Sequence, residues 1–137
     1  MLTLEFAHRW YTDEDPVHDF AHIQRVYRLA ERLAREEGAD MEIVRAAALL
    51  HDAQGSASGQ DSRKEHHLAS ADFAGEVLTA EGWPAERISA VQHCIRAHRF
   101  RKGERNEGPQ SLEAQILFDA DKLDVIGAIG VARVIAY

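Results

Sequence analysis

Apolar residues recur at intervals of three and four along this chain, which is the spacing of amphipathic helices rather than of strands. The clearest stripe follows a turn-like segment at residues 13–16 and ends near Gly38; it consists of Ile23, Val26, Tyr27, Ala30, Leu33 and Ala34. No segment alternates apolar and polar residues between turn signals, as a half-buried strand does. The sequence therefore predicts an all-α fold.

A second segment, IVRAAALL at residues 43–50, is apolar on nearly all sides and predicts a central helix enclosed by its neighbours. Two further stripes, at residues 73–78 and 88–95, flank Gly82-Trp83-Pro84, where proline suits the first turn of a new helix. These segments and the one that follows predict a compact bundle of about six helices.

The last segment, from Ser111 to the end of the chain, has a helical pattern and is apolar on most sides. We expect this helix to be broken at Gly127 and Gly130, because glycine disfavours a helix interior. Its apolar surface, like Trp10 and Tyr11 near the start of the chain, either packs in the core or contacts a partner. The sequence therefore leaves it undecided whether the protein forms an oligomer.

Composition excludes several classes of protein. The 137 residues fit one domain spanning 1–137, and 16 Lys and Arg against 23 Asp and Glu give a net charge of −7. That charge disfavours nucleic acid and anionic membranes, so an anionic ligand must meet a local positive centre. The single Cys94 excludes an internal disulfide, and no apolar run of about 20 residues is present. The first residues lack a basic region followed by an apolar one, so we expect no signal peptide. We expect a cytoplasmic protein.

Eight histidines are many for this length, and several stand beside acidic residues. His51 and Asp52 come directly after the apolar helix, where a carboxylate meets the negative end of the helix dipole at a cost of about 0.3–1 kcal/mol. A bound cation would remove this conflict, and the alternative is a solvent-exposed helix end. The pair is therefore a candidate metal site.

Other histidines fall on buried helix faces. His22 lies on the apolar face beside Ile23, and His18 precedes it by four residues on the same face. His98 continues the stripe of the 88–95 segment inward, whereas His93 is expected to face solvent. Each buried histidine taken alone is usually a hydrogen-bonded core residue. Their number makes a metal the stronger hypothesis.

Three carboxylates, Asp119, Asp121 and Asp124, interrupt the otherwise apolar last helix. Buried charges are costly unless they are paired or bind a metal. Imidazole and carboxylate together suit Mn, Fe, Co, Ni or Zn better than Ca. The helical period does not decide between Asp119 and Asp121.

Three ordered segments carry a family resemblance: HIQRV at 22–26, AALLHD at 47–52 and DADKLDVIGAIG at 119–130. They resemble the HD-domain superfamily of metal-dependent phosphohydrolases, and most of all its small stand-alone bacterial members. The resemblance implies that one metal is held by His22, His51, Asp52 and Asp121. It also selects Asp121 over Asp119.

Members of that superfamily with two metals carry additional histidines, and His66 and His98 match those positions. His67 is a close rival of His66. The chain departs from the subset that carries a His-Asp-Ile-Gly-Lys string, because residues 51–55 read HDAQG and lack the lysine. The resemblance therefore implies one or two divalent ions of Mn, Fe, Co, Ni, Zn or Mg, without a cyclic-dinucleotide assignment.

The activity implied by the resemblance is hydrolysis of a nucleotide or another small phosphate ester by a metal-activated water. In this hypothesis Asp52 is a catalytic ligand that bridges two ions when both sites fill. His18 and Lys122 are candidate catalytic contacts, and a surface role is the alternative for both. Further cations that would meet the phosphate are Arg25, Arg63 and Lys64. Two other functions stay open: a di-iron HD-domain oxygenase and a non-catalytic ligand-binding HD module.

Overall fold

A computed structural model describes residues 2–11, 20–53, 66–100 and 108–136, and for His66 and residues 127–136 it describes the backbone alone. The described residues form helices and no strand, which confirms the predicted all-α bundle. In chain order the elements are α1 (Leu4–Ala7), a 3₁₀ turn (His8–Trp10), α2 (Phe20–Glu37), α3 (Met41–Leu50), α4 (His66–Ala80), α5 (Ala85–Ala97) and α6 (Leu112–Ala136).

The helices begin and end at residues whose chemistry suits a helix terminus. Gly38 adopts a φ of +75° after α2, and its N–H donates to Ala34 at 2.9 Å, so a residue without a Cβ closes that helix. Asp40 then caps α3, because its carboxylate accepts the N–H of Ile43 at 3.3 Å. The short connection between α2 and α3 follows from these two residues.

Helix α3 lies at the centre of the bundle, as its sequence predicts. All its residues except Met41, Glu42 and Arg45 are buried, and it packs against α2, α4, α5 and α6. Helix α2 also packs against α6, and α4 packs against α5. The carboxyl ends of α3 and α5 and the middle of α6 therefore meet inside the bundle.

The prediction that the last helix breaks at Gly127 and Gly130 is wrong. Helix α6 continues through both glycines to Ala136. Glycine costs about 1 kcal/mol relative to alanine inside a helix, which weakens a helix without ending it. Before the first glycine, α6 leaves four large apolar side chains exposed: Leu112, Leu123, Val125 and Ile126.

Across the helices in the described part of the chain, none has the length and apolar content needed to cross a membrane.

Candidate metal centre

The carboxyl end of α3 fixes the orientation of His51. The His51 ring is fully buried, and its Nδ1–H donates to the carbonyl of Ala48 at 2.7 Å. That carbonyl belongs to the last turn of the helix, where no backbone N–H is left to bond it. The hydrogen bond turns Nε2, the other ring nitrogen, towards the interior of the bundle.

His98 repeats this arrangement at the carboxyl end of α5. Its Nδ1 hydrogen-bonds to the carbonyl of Ile95, three residues earlier, and its ring stands edge-on to that of His51 with centroids 5.0 Å apart. The predicted inward direction of His98 is confirmed, since only 4% of the residue is exposed. The Nε2 atoms of His51 and His98 are buried and have no hydrogen-bond partner among the described residues.

Asp52 lies between these histidines, with one carboxylate oxygen directed to each side. Its Oδ2 is 3.5 Å from Nε2 of His51 and 3.8 Å from Nε2 of His22. Its Oδ1 is 3.6 Å from Nε2 of His98. The carboxylate is 5% exposed, so both oxygens act in a largely water-free environment.

Helices α2 and α6 complete the cluster. His22 is buried, as predicted, and its Nε2 lies 3.1 Å from Oδ1 of Asp121, which is also 3.5 Å from Nε2 of His51. Asp119 instead is exposed and accepts a hydrogen bond from Gln115 at 3.0 Å. The structure therefore brings Asp121 to the histidines and leaves Asp119 at the surface.

Asp124 has a role that sequence reasoning missed. Its Oδ2 accepts the Nδ1–H of His22 at 2.7 Å, and its Oδ1 accepts from Nε of Arg25 at 2.7 Å. A carboxylate on the far nitrogen fixes the tautomer and orientation of a ligating histidine. The available signal was spacing, because Asp124 follows Asp121 by three residues and shares its helix face.

The ionisable groups of the cluster shift one another's pKa values. Burial lowers the pKa of His51, but the Asp52 and Asp121 carboxylates outweigh burial and raise it to about 9. Burial raises the pKa values of Asp52 and Asp121, but the neighbouring histidines outweigh it and hold both well below the usual range. The carboxylates are therefore ionised, and the protein compensates them with a protonated imidazole when no other cation is present.

The donor set fits a divalent metal ion. Ligand atoms of His22, His51 and Asp52 lie within 4.8 Å of one another, and all three residues are buried. Two buried imidazole nitrogens without hydrogen-bond partners, directed at ionised carboxylates, are an arrangement that a cation would satisfy. Imidazole and carboxylate donors suit borderline transition metals.

The remaining predicted site residues are not all in described parts of the chain. His18, Arg63 and Lys64 lie outside the described residues, as does the side chain of His66; its neighbour His67 is buried. The Lys122 side chain is exposed, with its ammonium 4.2 Å from the centroid of the Phe118 ring.

Arg99 lies beside this cluster, and His93 is placed differently from the sequence prediction. Arg99 was not singled out from the sequence, yet its Nη2 lies 3.9 Å from Oδ1 of Asp52 and its side chain is 36% exposed. It is a cation between the cluster and solvent. His93 is half-buried rather than solvent-facing, because its Nε2 accepts the backbone N–H of Gln110 at 3.0 Å.

Comparison with known proteins agrees with this geometry. Residues 19–126 match the family model of the HD domain. The chain is 37% identical over 123 residues to YpgQ of Bacillus subtilis, covering 89% of this chain but 58% of that protein. It therefore spans less than two thirds of this relative's length.

Two crystal structures extend the comparison. A predicted HD superfamily hydrolase from an uncultured Thermotogales bacterium superimposes with a TM-score of 0.79 at 34% identity, covering 98% of this chain and 72% of the other. YpgQ of Bacillus subtilis in complex with ADP gives a TM-score of 0.67 at 31% identity, covering 96% and 64%. The His-Asp pair, its helical setting and the match over residues 19–126 make this chain a member of the HD domain family.

Proposed function

We propose that this chain is a metal-dependent phosphohydrolase acting on a nucleotide or another small phosphate ester. One observation carries the proposal: the buried Nε2 atoms of His51 and His98 have no hydrogen-bond partner among the described residues and flank the Asp52 carboxylate. His22 and Asp121 complete the ligand set. Members of the HD domain family are generally metal-dependent phosphohydrolases, which supports the same reading.

A divalent cation bound by these residues supplies a better water nucleophile near neutral pH and polarises a phosphoryl oxygen. The protein positions the ligands. His51 and His98 are held through Nδ1 by backbone carbonyls, and His22 is held through Nδ1 by Asp124. All three therefore direct Nε2 at the Asp52 and Asp121 carboxylates.

The division of the Asp52 oxygens supports two ion positions rather than one. Oδ2 faces His51 and His22, whereas Oδ1 faces His98. In this proposal Asp52 would contribute to both of two ion positions, and His98 with His66 would hold the second, more weakly bound ion. Its protein ligands are fewer, so this ion is lost first.

Arg99 supports an anionic substrate. The chain carries a net charge of −7, so a phosphate reaches the cluster only against a repulsive field unless a local cation receives it. Arg99 lies at the partly exposed side of Asp52 and has the donor geometry that guanidinium uses with phosphate. In this proposal Arg99 binds the substrate phosphate, and His18 and Lys122 are further candidate contacts.

A nucleotide is the proposed substrate because YpgQ of Bacillus subtilis, a relative of this chain, has been solved in complex with ADP. A single domain over residues 1–137 and a cytoplasmic location, both expected from the sequence, stay predictions.

Elemental analysis of protein purified without chelator, followed by phosphate release from a panel of nucleotides under several added metals, tests the proposal. We expect at least one transition metal per chain and hydrolysis of at least one nucleotide. Protein that contains no metal, binds none on titration and hydrolyses nothing would contradict it.

The arrangement of Asp52, with one oxygen facing His51 and the other facing His98, also fits a di-iron oxygenase. Such a carboxylate would suit any centre of two metal ions. Oxygen uptake by iron-loaded protein without phosphate release would establish this alternative.

A further inference from the structure

The last backbone carbonyls of α3 have no N–H within the helix to accept from. The groups that bond them therefore set the path of the backbone at His51 and Asp52. The carbonyl of Leu50 accepts from the N–H of Ala53 at 3.2 Å. The carbonyl of Ala48 accepts from Nδ1 of His51. Both partners therefore come from the turn itself.

The carbonyl of Leu49 has a distant partner instead. The hydroxyl of Tyr11, 38 residues earlier, donates to it at 2.7 Å. Tyr11 is 6% exposed and Leu49 is 1% exposed, so water does not readily replace this bond. The bonded carbonyl lies two residues before His51 and three before Asp52.

Contacts on both sides of Tyr11 hold the segment that carries it. The Trp10 ring packs edge-on against Phe73 of α4, with centroids 5.4 Å apart. The Tyr11 ring contacts Phe20 at the start of α2, with centroids 6.4 Å apart. The hydroxyl is therefore delivered to α3 by a segment that is itself anchored on two other helices.

We propose that Tyr11 is a positioning residue for the metal centre, which sets the end of α3 so that His51 and Asp52 present their ligand atoms together. The assignment rests on the proposed metal site and adds to it a residue outside the segment, 19–126, that matches the family model. In this proposal Tyr11 acts through the main chain of α3 and is not itself a metal ligand.

The burial of Tyr11 makes the bond insensitive to pH. Burial and the charge of Asp52 raise the pKa of the Tyr11 hydroxyl well above its usual value. The hydroxyl therefore stays protonated, and remains a donor to Leu49, near neutral pH.

The test compares Tyr11→Phe with wild type and with Tyr27→Phe. Phenylalanine keeps the ring and removes only the hydroxyl. Tyr27 is a half-buried tyrosine of α2 that interacts with the charges of Glu31 and Arg45, neither of which is a proposed metal ligand. Co²⁺ is titrated into chelator-treated protein far below the unfolding temperature, and affinity and the visible absorption of bound Co²⁺ are recorded.

We expect Tyr11→Phe to bind Co²⁺ about tenfold more weakly with an altered absorption spectrum, as is usual when support for a ligand is lost. Tyr27→Phe should match wild type in both. A Tyr11→Phe protein that unfolds at a lower temperature yet keeps the wild-type affinity and spectrum would overturn the proposal, because the hydroxyl would then serve stability alone. Wild type that binds no Co²⁺ would instead contradict the metal site itself.

Hydrogen exchange on wild type provides a second test that needs no variant. Because coupling between two sites is reciprocal, an ion that is bound better when Tyr11 is docked must also stabilise the docked segment. We expect added Co²⁺ to slow amide exchange in residues 2–11. Unchanged exchange there, alongside slowed exchange at residues 48–53, would overturn the proposal.

Discussion

The two ends of α3 both gather carboxylates, but they neutralise them differently. At the amino end, Asp40 receives Arg87 in a two-point contact of 3.0 and 3.2 Å, and its backbone N–H donates to Glu113 at 2.9 Å. At the carboxyl end, Asp52 and Asp121 face the Nε2 atoms of histidines. At the amino end a permanent cation, Arg87, hydrogen-bonds the carboxylate. At the carboxyl end the groups inside the cluster are histidines, which become cationic only by taking up a proton, and Arg99 stays 3.9 Å from Asp52, beyond hydrogen-bond distance.

This difference indicates that the carboxylate at the amino end of α3 serves stability, whereas the carboxylates at its carboxyl end serve ligand binding. Carboxylates are favourable at the amino end of a helix dipole and unfavourable at the carboxyl end. Asp40 therefore caps α3 and stabilises it, whereas Asp52 is buried where its charge is least favourable. A protein retains such an arrangement when a ligand relieves it, and a divalent cation would.

The largest expected effect comes from making the same substitution, aspartate to asparagine, at each end of α3 and comparing the results. Asp52→Asn keeps the shape of the side chain but removes the negative charge that holds the ion. We expect hydrolysis to fall at least about 100-fold, beyond the usual effect of losing an outer-shell residue, with the helical circular dichroism unchanged. Asp40→Asn, the same change at the other end of α3, should keep the metal content. Equal losses in both variants would remove the distinction between the ends.

Removing His98 tests whether the carboxyl end holds one ion or two. We expect metal titration to give two ions in the parent and one in His98→Ala, because Oδ1 of Asp52 then loses its imidazole neighbour. His66→Ala should behave in the same way. If both variants keep the parent's metal content and rate, the centre is mononuclear.

The pH dependence follows from His51, whose pKa in the metal-free protein is about 9. A metal must displace the proton from this imidazole, so affinity should rise about tenfold per pH unit from pH 7 and level off above pH 9. The folded pKa lies above the unfolded value of about 6.5, so the protonated ring stabilises metal-free protein below pH 6.5 and this contribution disappears through pH 9. Affinity that stays constant between pH 7 and pH 9 would contradict the assignment.

Arg99→Gln tests whether Arg99, which lies near Asp52 at the carboxyl end of α3, contacts the substrate phosphate. The loss of a charged hydrogen-bond donor should raise KM for the hydrolysed nucleotide about tenfold while metal content stays the same. Arg32→Gln is the control, because Arg32 is 76% exposed and pairs with Glu36 on the surface of α2. An unchanged KM in Arg99→Gln would remove Arg99 from the substrate contacts without affecting the metal centre.

The smallest effect is expected at the amino end. Asparagine caps a helix as well as aspartate does, so Asp40→Asn should lose only the attraction to Arg87. Both side chains are about one third exposed, and such pairs contribute less than about 1 kcal/mol to the free energy of unfolding. Urea denaturation measures this loss. A change in metal stoichiometry would show that the two ends of α3 are coupled.

Local pattern was enough to predict much of this protein. The period of three and four gave the helices and the inward direction of His22 and His98, because a helix buries the face that its apolar residues occupy. The same local reasoning was wrong at Gly127 and Gly130, where the cost of glycine is too small to end a helix. Both results follow from forces that act within one turn.

The tertiary structure decided the contacts between distant segments that helical periodicity left open, although the family resemblance had already selected Asp121 over Asp119. Periodicity left Asp119 and Asp121 equivalent, gave Asp124 no partner and gave Arg99 no role. The distances that place Asp121, Asp124 and Arg99 join residues 47 to 102 positions apart in the chain. Such contacts depend on how helices rotate and shift as they pack, and no local sequence pattern encodes that placement. The sequence therefore determined which residue types face the interior, and packing determined which of their atoms meet.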